Sequence, residues 1–495
     1  MPHRPALAAA VSLALALSAA LVSGPTASAA PALAKPYDFD GDGFVDLVVG
    51  APRLTVGDSA LTGGVVVLRG SRTAPSLDDQ LVTRPGGTST ESIFGTALAS
   101  ADFDRDGFAD LAVGAPGESG RYDPSGAVHV LHGSKAGLTD TGATRLTQVG
   151  GEDFDSGFGR ALAAADFDGD GWPDLAVSAP LTEEAGTTPA TGVVSVYRGG
   201  PGGFSVSRGS VLRGDRSSTR YDVGFGSSLT VGDLDGDGRA DLVVGSDGAV
   251  YGDGYGFPGS VSACDGAPRG LTTCDQLDRD SALAGLGSLA VGDVRLSARP
   301  EVVVGVPRSR RNHEDGGTVQ VLTLPGAGDD PGAVTREEVS QDSKGVPGSE
   351  EDGDLFGDDV ALADLDRDGY ADLVVGAPGE DVGTKKDAGR VTVLYGGALG
   401  FRTSGNRTLD RATKGVPGSL GRGDRFGDAV SLVDHDGDGR PDLAVGAPLD
   451  AGSGAVTALR GSGTAFTTTG ARTFTLKTLG HPTSGRALFG DTFGR

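Results

Sequence analysis

DFDGDGFVD (38–46), DFDRDGFAD (102–110), DFDGDGWPD (166–174), DLDGDGRAD (233–241), DLDRDGYAD (364–372) and DHDGDGRPD (434–442) are six copies of one nonapeptide. In every copy Asp fills positions 1, 3, 5 and 9, and Gly fills position 6. The glycine permits a sharp turn, and four carboxylates converging on such a turn repel one another unless a cation sits among them. A carboxylate-rich, all-oxygen shell favours Ca²⁺, because Mg²⁺ usually keeps several of its waters. The expected side-chain ligands are Asp38, Asp40, Asp42 and Asp46; Asp102, Asp104, Asp106 and Asp110; Asp166, Asp168, Asp170 and Asp174; Asp233, Asp235, Asp237 and Asp241; Asp364, Asp366, Asp368 and Asp372; and Asp434, Asp436, Asp438 and Asp442. The position 7 backbone carbonyl, from Phe44, Phe108, Trp172, Arg239, Tyr370 or Arg440, completes each set, for about six Ca²⁺ sites. An EF-hand is excluded. It needs a bidentate Glu at position 12, between helices. Here position 12 is Val49, Val113, Val177, Val244, Val375 or Val445, inside an apolar run.

The nonapeptide belongs to a longer repeat. Aligned on its first Asp, the unit starts at 38, 102, 166, 233, 293, 364 and 434, at intervals of 64, 64, 67, 60, 71 and 70 residues. Ahead of most loops stands a Phe-Gly pair: Phe94-Gly95, Phe158-Gly159, Phe225-Gly226, Phe356-Gly357 and Phe426-Gly427. A run of small residues links that pair to the loop. Behind the loop comes an apolar strand ending in Gly-Ala-Pro or a relative, as in LVVGAP (47–52) and LAVGAP (111–116). An alternating run follows, as in GGVVVLRG (63–70) and GAVHVLHG (126–133), and then a weaker Thr/Val/Arg-rich stretch. β-branched enrichment, Gly and Asp punctuation and the lack of long helical periodicity make these strands. The Pro stops the second strand because it has no N–H. Four antiparallel strands repeated seven times predict an all-β, seven-bladed β-propeller, with the small first strand at the crowded axis.

The unit at 293, DVRLSARPE, breaks the pattern: Arg295 and Ser297 replace two carboxylates and Leu286-Gly287 replaces Phe-Gly. This blade is expected to fold without metal, with Arg295 supplying positive charge in place. The ends also complement each other. Asp38 opens a loop with no Phe-Gly before it, and RALFGDTFGR at the C-terminus carries Phe489-Gly490 with no loop after it. The C-terminal strand is therefore expected to join the first blade and close the ring, removing an open edge.

Residues 1–30 read as a secretory signal peptide: Arg4 gives the positive region, Ala6–Val22 the apolar core, and Ala27-Ser28-Ala29 a small-residue cleavage site. Residues 31–36 form a short linker, and 37–495 the propeller. No later stretch is apolar enough to span a membrane, so the expected location is secreted, extracellular, with no transmembrane segment. Cys264 and Cys274, the only two cysteines, suit a local disulfide in that setting. Net charge is −25, and the six loops hold 24 of the 67 acidic residues; six divalent ions would reduce the balance to −13. Nucleic acid is excluded as a partner for such a surface.

With the Phe-Gly pairs, the DxDxDGxxDL loops and the Gly-Ala-Pro turns in view, residues 36–495 resemble the FG-GAP repeats of the integrin α-subunit N-terminal β-propeller and of secreted bacterial FG-GAP proteins. The resemblance implies Ca²⁺ in hairpin loops joining strands one and two, bracing the face opposite the usual ligand surface. No leg domain, membrane helix or cytoplasmic tail is apparent, so an integrin-like heterodimer is not implied and a monomer is expected.

No catalytic constellation emerges. Of six histidines, His3 lies in the signal, His435 within a loop, and His129 and His132 on a blade strand, where they read as surface residues. No Gly-x-Ser-x-Gly elbow accompanies them, and the chain is expected not to be an enzyme. Two Arg-Gly-Asp triplets, 213–215 and 422–424, read as structural, since Asp424 matches Asp354 at the entrance to a blade. Recognition falls to loops on the other face, with Tyr122, Tyr251, Tyr255, Phe257, Arg308, Arg310 and Arg311 as candidate contacts. The expected function is a calcium-braced extracellular binding or cell adhesion module for a protein or glycan ligand. The alternatives are a carbohydrate-binding lectin-like propeller and a secreted hydrolase.

Overall fold

The computed structural model describes residues 33–494 except 58, 74, 88, 120–123, 152, 154, 184–189, 205–207, 215, 218–219, 251–255, 272, 281–282, 298, 309–315, 327–332 and 484–485. The signal peptide, Tyr122, Tyr251, Tyr255, Arg310, Arg311 and Asp215 lie outside the described residues.

Seven antiparallel four-stranded sheets form the ring. Blade two shows the plan: Leu98–Ala101, Asp110–Ala115, Ala127–His132 and Thr139–Leu146 pair in sequence order. First strands of neighbouring blades lie side by side around the axis. The second strands are buried throughout because each blade is covered on both faces, which is why they read as continuous apolar runs. Alternation still sorts the side chains. In blade one, Leu47 and Val49 enter the seam with blade seven, while Val48 enters the seam with blade two. One apolar cluster fills each of the seven seams, so the hydrophobic core is distributed around the ring.

The glycines of the repeat are explained at these seams. The Gly114 backbone lies so close to the Gly159 carbonyl of the next blade that a β-carbon would collide with it; Gly376 meets Gly427 and Gly446 meets Gly490 in the same way. Within its own blade, the Phe-Gly glycine donates its N–H to the second strand, as Gly95 does to the Gly114 carbonyl at 2.9 Å. Phe94, Phe158, Phe225, Phe356, Phe426 and Phe489 are fully buried beside it. Phe-Gly and Gly-Ala-Pro are thus two halves of one contact between blades.

The ring closes as expected. Thr492–Phe493 pairs antiparallel with Leu47–Gly50 and completes blade one (Val65–Leu68, Asp79–Val82). Gly490 donates to the Gly50 carbonyl at 3.1 Å, and Phe489 bridges to Gly454 of blade seven. In blade four, Cys264 and Cys274 form a disulfide across a separation of ten residues. Closing so short a loop is worth about 2–3 kcal/mol. No helix of the described residues is long and apolar enough to cross a membrane.

Candidate metal centres

Five of the six Asp nonapeptides join the first strand of a blade to the second; the loop at 38–46 leads into the second strand of blade one, whose first strand comes from the C-terminus, and all six fall on one face. Their local fold is set by the carboxylates themselves. The position 1 carboxylate accepts two backbone N–H groups across the turn, in blade one from Asp42 (3.1 Å) and Gly43 (3.0 Å). Position 5 accepts the N–H of position 7 in all six loops, at 2.9–3.1 Å. Position 6 glycines have φ between 77° and 95°, a region that strains any other residue.

Position 9 is the deepest of the four. One oxygen accepts the N–H of position 2, as Asp46 does from Phe39 (3.2 Å) and Asp241 from Leu234 (2.7 Å). The other accepts the N–H of a glycine at the end of the third strand, at 2.7–2.9 Å for Asp46, Asp110, Asp174, Asp241, Asp372 and Asp442. This aspartate is a structural pin as well as a candidate ligand, a role invisible in the repeat pattern alone. Burial first, then neighbouring carboxylates, pushes Asp46, Asp174 and Asp442 up to about 7 and Asp372 to about 6. A cation among them would relieve that cost.

The donor sets fit a hard cation. Ligand oxygens of Asp38, Asp40 and Asp42, of Asp102, Asp104 and Asp106, of Asp166, Asp168 and Asp174, and of Asp233, Asp235 and Asp241 lie, within each group, no more than 4.8 Å apart. Blade five keeps the frame with two of the four acids replaced. Glu301 accepts the Val294 N–H at 2.9 Å, and Ser297 donates its N–H to Asp293 at 2.9 Å. Arg295 lies 3.6 Å from Glu301, bonds Thr323 at 3.1 Å and pairs with Glu337. The expected positive charge at Arg295 is therefore in place.

The loops also touch one another. A β-carbon on Gly41 of loop one would press on the Phe108 ring of loop two, and one on Gly437 of loop seven would press on Phe44 of loop one. Arg105 of loop two stacks on Trp172 of loop three at 5.1 Å, and Arg367 of loop six bonds the Gly439 carbonyl of loop seven at 2.5 Å. In the first three pairs position 7 of one loop covers position 4 of the loop before it; in the last, position 4 reaches the position 6 carbonyl.

The opposite face holds the loops between strands two and three and between blades, tied by buried struts. Arg84, after blade one, reaches Glu118 of blade two at 2.8 Å; Gln341 reaches Glu380 at 2.6 Å, and Arg411 reaches Asp450 at 2.5 Å. His129 belongs to this system, which corrects its expected surface position: it is 3 % exposed, with Nε2 2.6 Å from Glu118 and its ring against Phe94. Burial raises the Glu118 pKa, but bonds from His129, Arg84 and Arg145 outweigh it and hold the carboxyl at about 2. His435 is likewise buried, at the seam with blade one, where Nδ1 lies 2.9 Å from the Val45 carbonyl. Asp424 is buried and accepts the Gly421 N–H at 2.7 Å, in keeping with its expected place at a blade entrance, while Arg422 of the same triplet is exposed. Arg308 is exposed and Phe257 partly so.

A cluster on this face went unnoticed in the sequence. The residues just after Phe-Gly include Asp358, Asp428 and Asp491, and the recurring FGD would have revealed them. Arg425 Nε lies 2.7 Å from Asp428 and its Nη2 3.9 Å from Asp358. Burial, then Asp428, pushes Asp358 up to about 7 and Asp491 to about 6; burial also raises Asp428. A raised carboxyl pKa means that the folded chain holds more protons than the unfolded one between about pH 4 and 7. Stability from this cluster therefore falls as pH rises through that window. Asp358→Asn is expected to stabilise the chain at pH 8 by about 2 kcal/mol and to flatten its pH dependence. Urea titrations at pH 5 and 8 in saturating calcium test this, and an unchanged pH slope would refute it.

A ring of seven four-stranded blades, with Asp hairpins on one face and Phe-Gly corners toward the other, defines a repeat-built propeller. The chain is an FG-GAP repeat protein: the FG-GAP repeat matches residues 31–68, 94–131, 158–197, 225–263, 356–394 and 426–459, leaving out the degenerate unit of blade five. It is 33% identical to integrin alpha-5 of Xenopus laevis over 217 residues, 42% of this chain and 19% of that protein. It is 30% identical to phosphatidylinositol-glycan-specific phospholipase D of Bos taurus over 380 residues, 72% of this chain and 43% of that protein. The Rattus norvegicus counterpart is 35% identical over 196 residues, 36% of this chain and 22% of the relative. The chain thus spans about a fifth to two fifths of the length of these relatives.

Proposed function

We propose that this protein is an exported propeller whose six Asp loops hold Ca²⁺ as structural braces, and that it works as an extracellular binding module through the opposite face. The carrying observation is the segregation of the two faces. The carboxylates converge on one side of the ring, while the loops anchored by Glu118, Glu380 and Asp450 lie on the other. Loops on a rigid scaffold are the usual place for recognition. The similarity to integrin alpha-5 supports this reading, and we take the ligand to be an extracellular protein or glycan. Calcium would supply fixed charge that holds the loops; the protein's own carboxylates, position 7 carbonyls and glycine turns would position it.

The match to phosphatidylinositol-glycan-specific phospholipase D over 72% of the chain keeps a hydrolase as the second reading. The full chain is expected to bind an extracellular protein or a glycan on an array in calcium, and to lose that binding on Arg308→Glu. Turnover of a glycosyl-phosphatidylinositol substrate, or binding insensitive to substitutions on this face, would sink the proposal.

A further inference from the structure

One position on the third strand varies among blades, and it touches the Asp loops. It follows the residue that pairs with the first Leu or Val of strand two: Leu68↔Leu47 places Arg69 there, Leu131↔Leu111 His132, Tyr197↔Leu175 Arg198, and Leu459↔Leu443 Arg460. Each puts a basic side chain on the position 3 carboxylate of its own loop. Arg69 pairs with Asp40, Arg198 with Asp168 and Arg460 with Asp436, while the His132 ring lies 3.2 Å from Asp104. In blade six the position is Tyr395, and Arg402, beyond the strand, reaches Asp366 at 2.9 Å. Four of the six loops thus carry a guanidinium, and a fifth an imidazole, at the same carboxylate.

Blade four differs. Cys264 pairs with Leu242, so the corresponding residue is Asp265. Among the described residues no cationic side chain pairs with Asp235, the position 3 carboxylate. The loop's own Arg239 instead bonds Asp237 and the Gly266 carbonyl (3.0 Å). Asp265 is in electrostatic reach of Asp235, Asp275 and Asp237 and of one cation, Arg299 of the blade-five loop, and the disulfide at Cys264 fixes its backbone.

We infer that the residue closing each third strand sets how strongly the neighbouring loop takes a divalent cation, and that blade four, through Asp265, holds the strongest site. The inference rests on the calcium reading above. Elsewhere an incoming ion must displace a guanidinium or imidazole from the position 3 carboxylate. In blade four it meets a fifth carboxylate and displaces nothing there. Exchanging one unit charge beside a divalent ion in water-like surroundings changes affinity on the order of tenfold.

Two titrations of the full, chelator-stripped chain test it. Calorimetry with CaCl₂ is expected to show one site on the order of tenfold tighter than the rest, lost in Asp265→Arg and weakened in Asp265→Asn. Trp172 is the only tryptophan and lies in loop three, so terbium luminescence sensitised by it reports that loop. Arg198→Gln is expected to lower the terbium midpoint on the order of tenfold, while Asp265→Arg leaves it in place. If Asp265→Arg keeps the tight class, or Arg198→Gln leaves the midpoint unchanged, the inference is overturned although calcium still binds. If the wild-type chain takes up neither ion, the calcium reading itself fails.

Discussion

Removal of Ca²⁺ with excess chelator is expected to lower the melting temperature of the full chain on the order of 10 °C. Extracellular Ca²⁺ sites typically have Kd of about 10⁻⁴–10⁻³ M. At free calcium ten times Kd, each independent site adds roughly 1.4 kcal/mol, so six approach about 8 kcal/mol, comparable with a domain's whole net stability. Two features of the ring favour a large response. The position 9 carboxylates are buried and pushed to about 7 in Asp46, Asp174 and Asp442, a cost that a bound cation removes. Loop contacts, Phe108 over Gly41 and Arg105 over Trp172, couple each loop to the next, so disorder in one reaches its neighbour. The blade-five loop, carrying Arg295 against Glu301 and Glu337, should resist the chelator. Calorimetric scans in calcium and in chelator measure the shift, and hydrogen exchange resolves the loops. An unchanged melting temperature would show that calcium does not brace the ring.

Most of the ring is legible in the sequence because its determinants are local and repeated. The nonapeptide marks the turn between strands one and two, and the Pro of Gly-Ala-Pro ends strand two. Phe489-Gly490 with no following loop foretells the closure that Val49↔Phe493 and Gly50↔Thr492 carry out. What escaped depends on register between strands or contact between blades. The spacing of Asp46 announces a ligand, but its second task, accepting N–H groups from Phe39 and Gly70, requires the third strand in place. His129 reads as a surface residue on an alternating strand. Its burial follows from Arg84, which approaches from the preceding blade to share Glu118. Asp358, Asp428 and Asp491 come together only when the ring forms.

Truncation at residue 487 is expected to abolish the folded ring. Blade one would lose its inner strand, leaving Leu47–Gly50 unpaired along one edge. Phe489 and Phe493, buried with Leu47, Val49, Ala444 and Val456 in the seam between blades seven and one, would go as well. Replacing one such phenylalanine by alanine costs about 3–5 kcal/mol, and net stability is only about 5–15 kcal/mol. Losing two phenylalanines and a strand's hydrogen bonds therefore exceeds the margin, and the open edge of an apolar strand is a template for aggregation. Phe489→Ala in the full chain separates packing from strand pairing, since Thr492–Phe493 remains to pair with Leu47–Gly50. It is expected to lose about 3–5 kcal/mol in urea titration while staying folded and monodisperse in calcium. The truncated chain should be unfolded or aggregated under the same conditions. A cooperative, unshifted melt of that truncated chain would mean that blade one stands without the C-terminal strand. The ring would then be held by its other six seams alone.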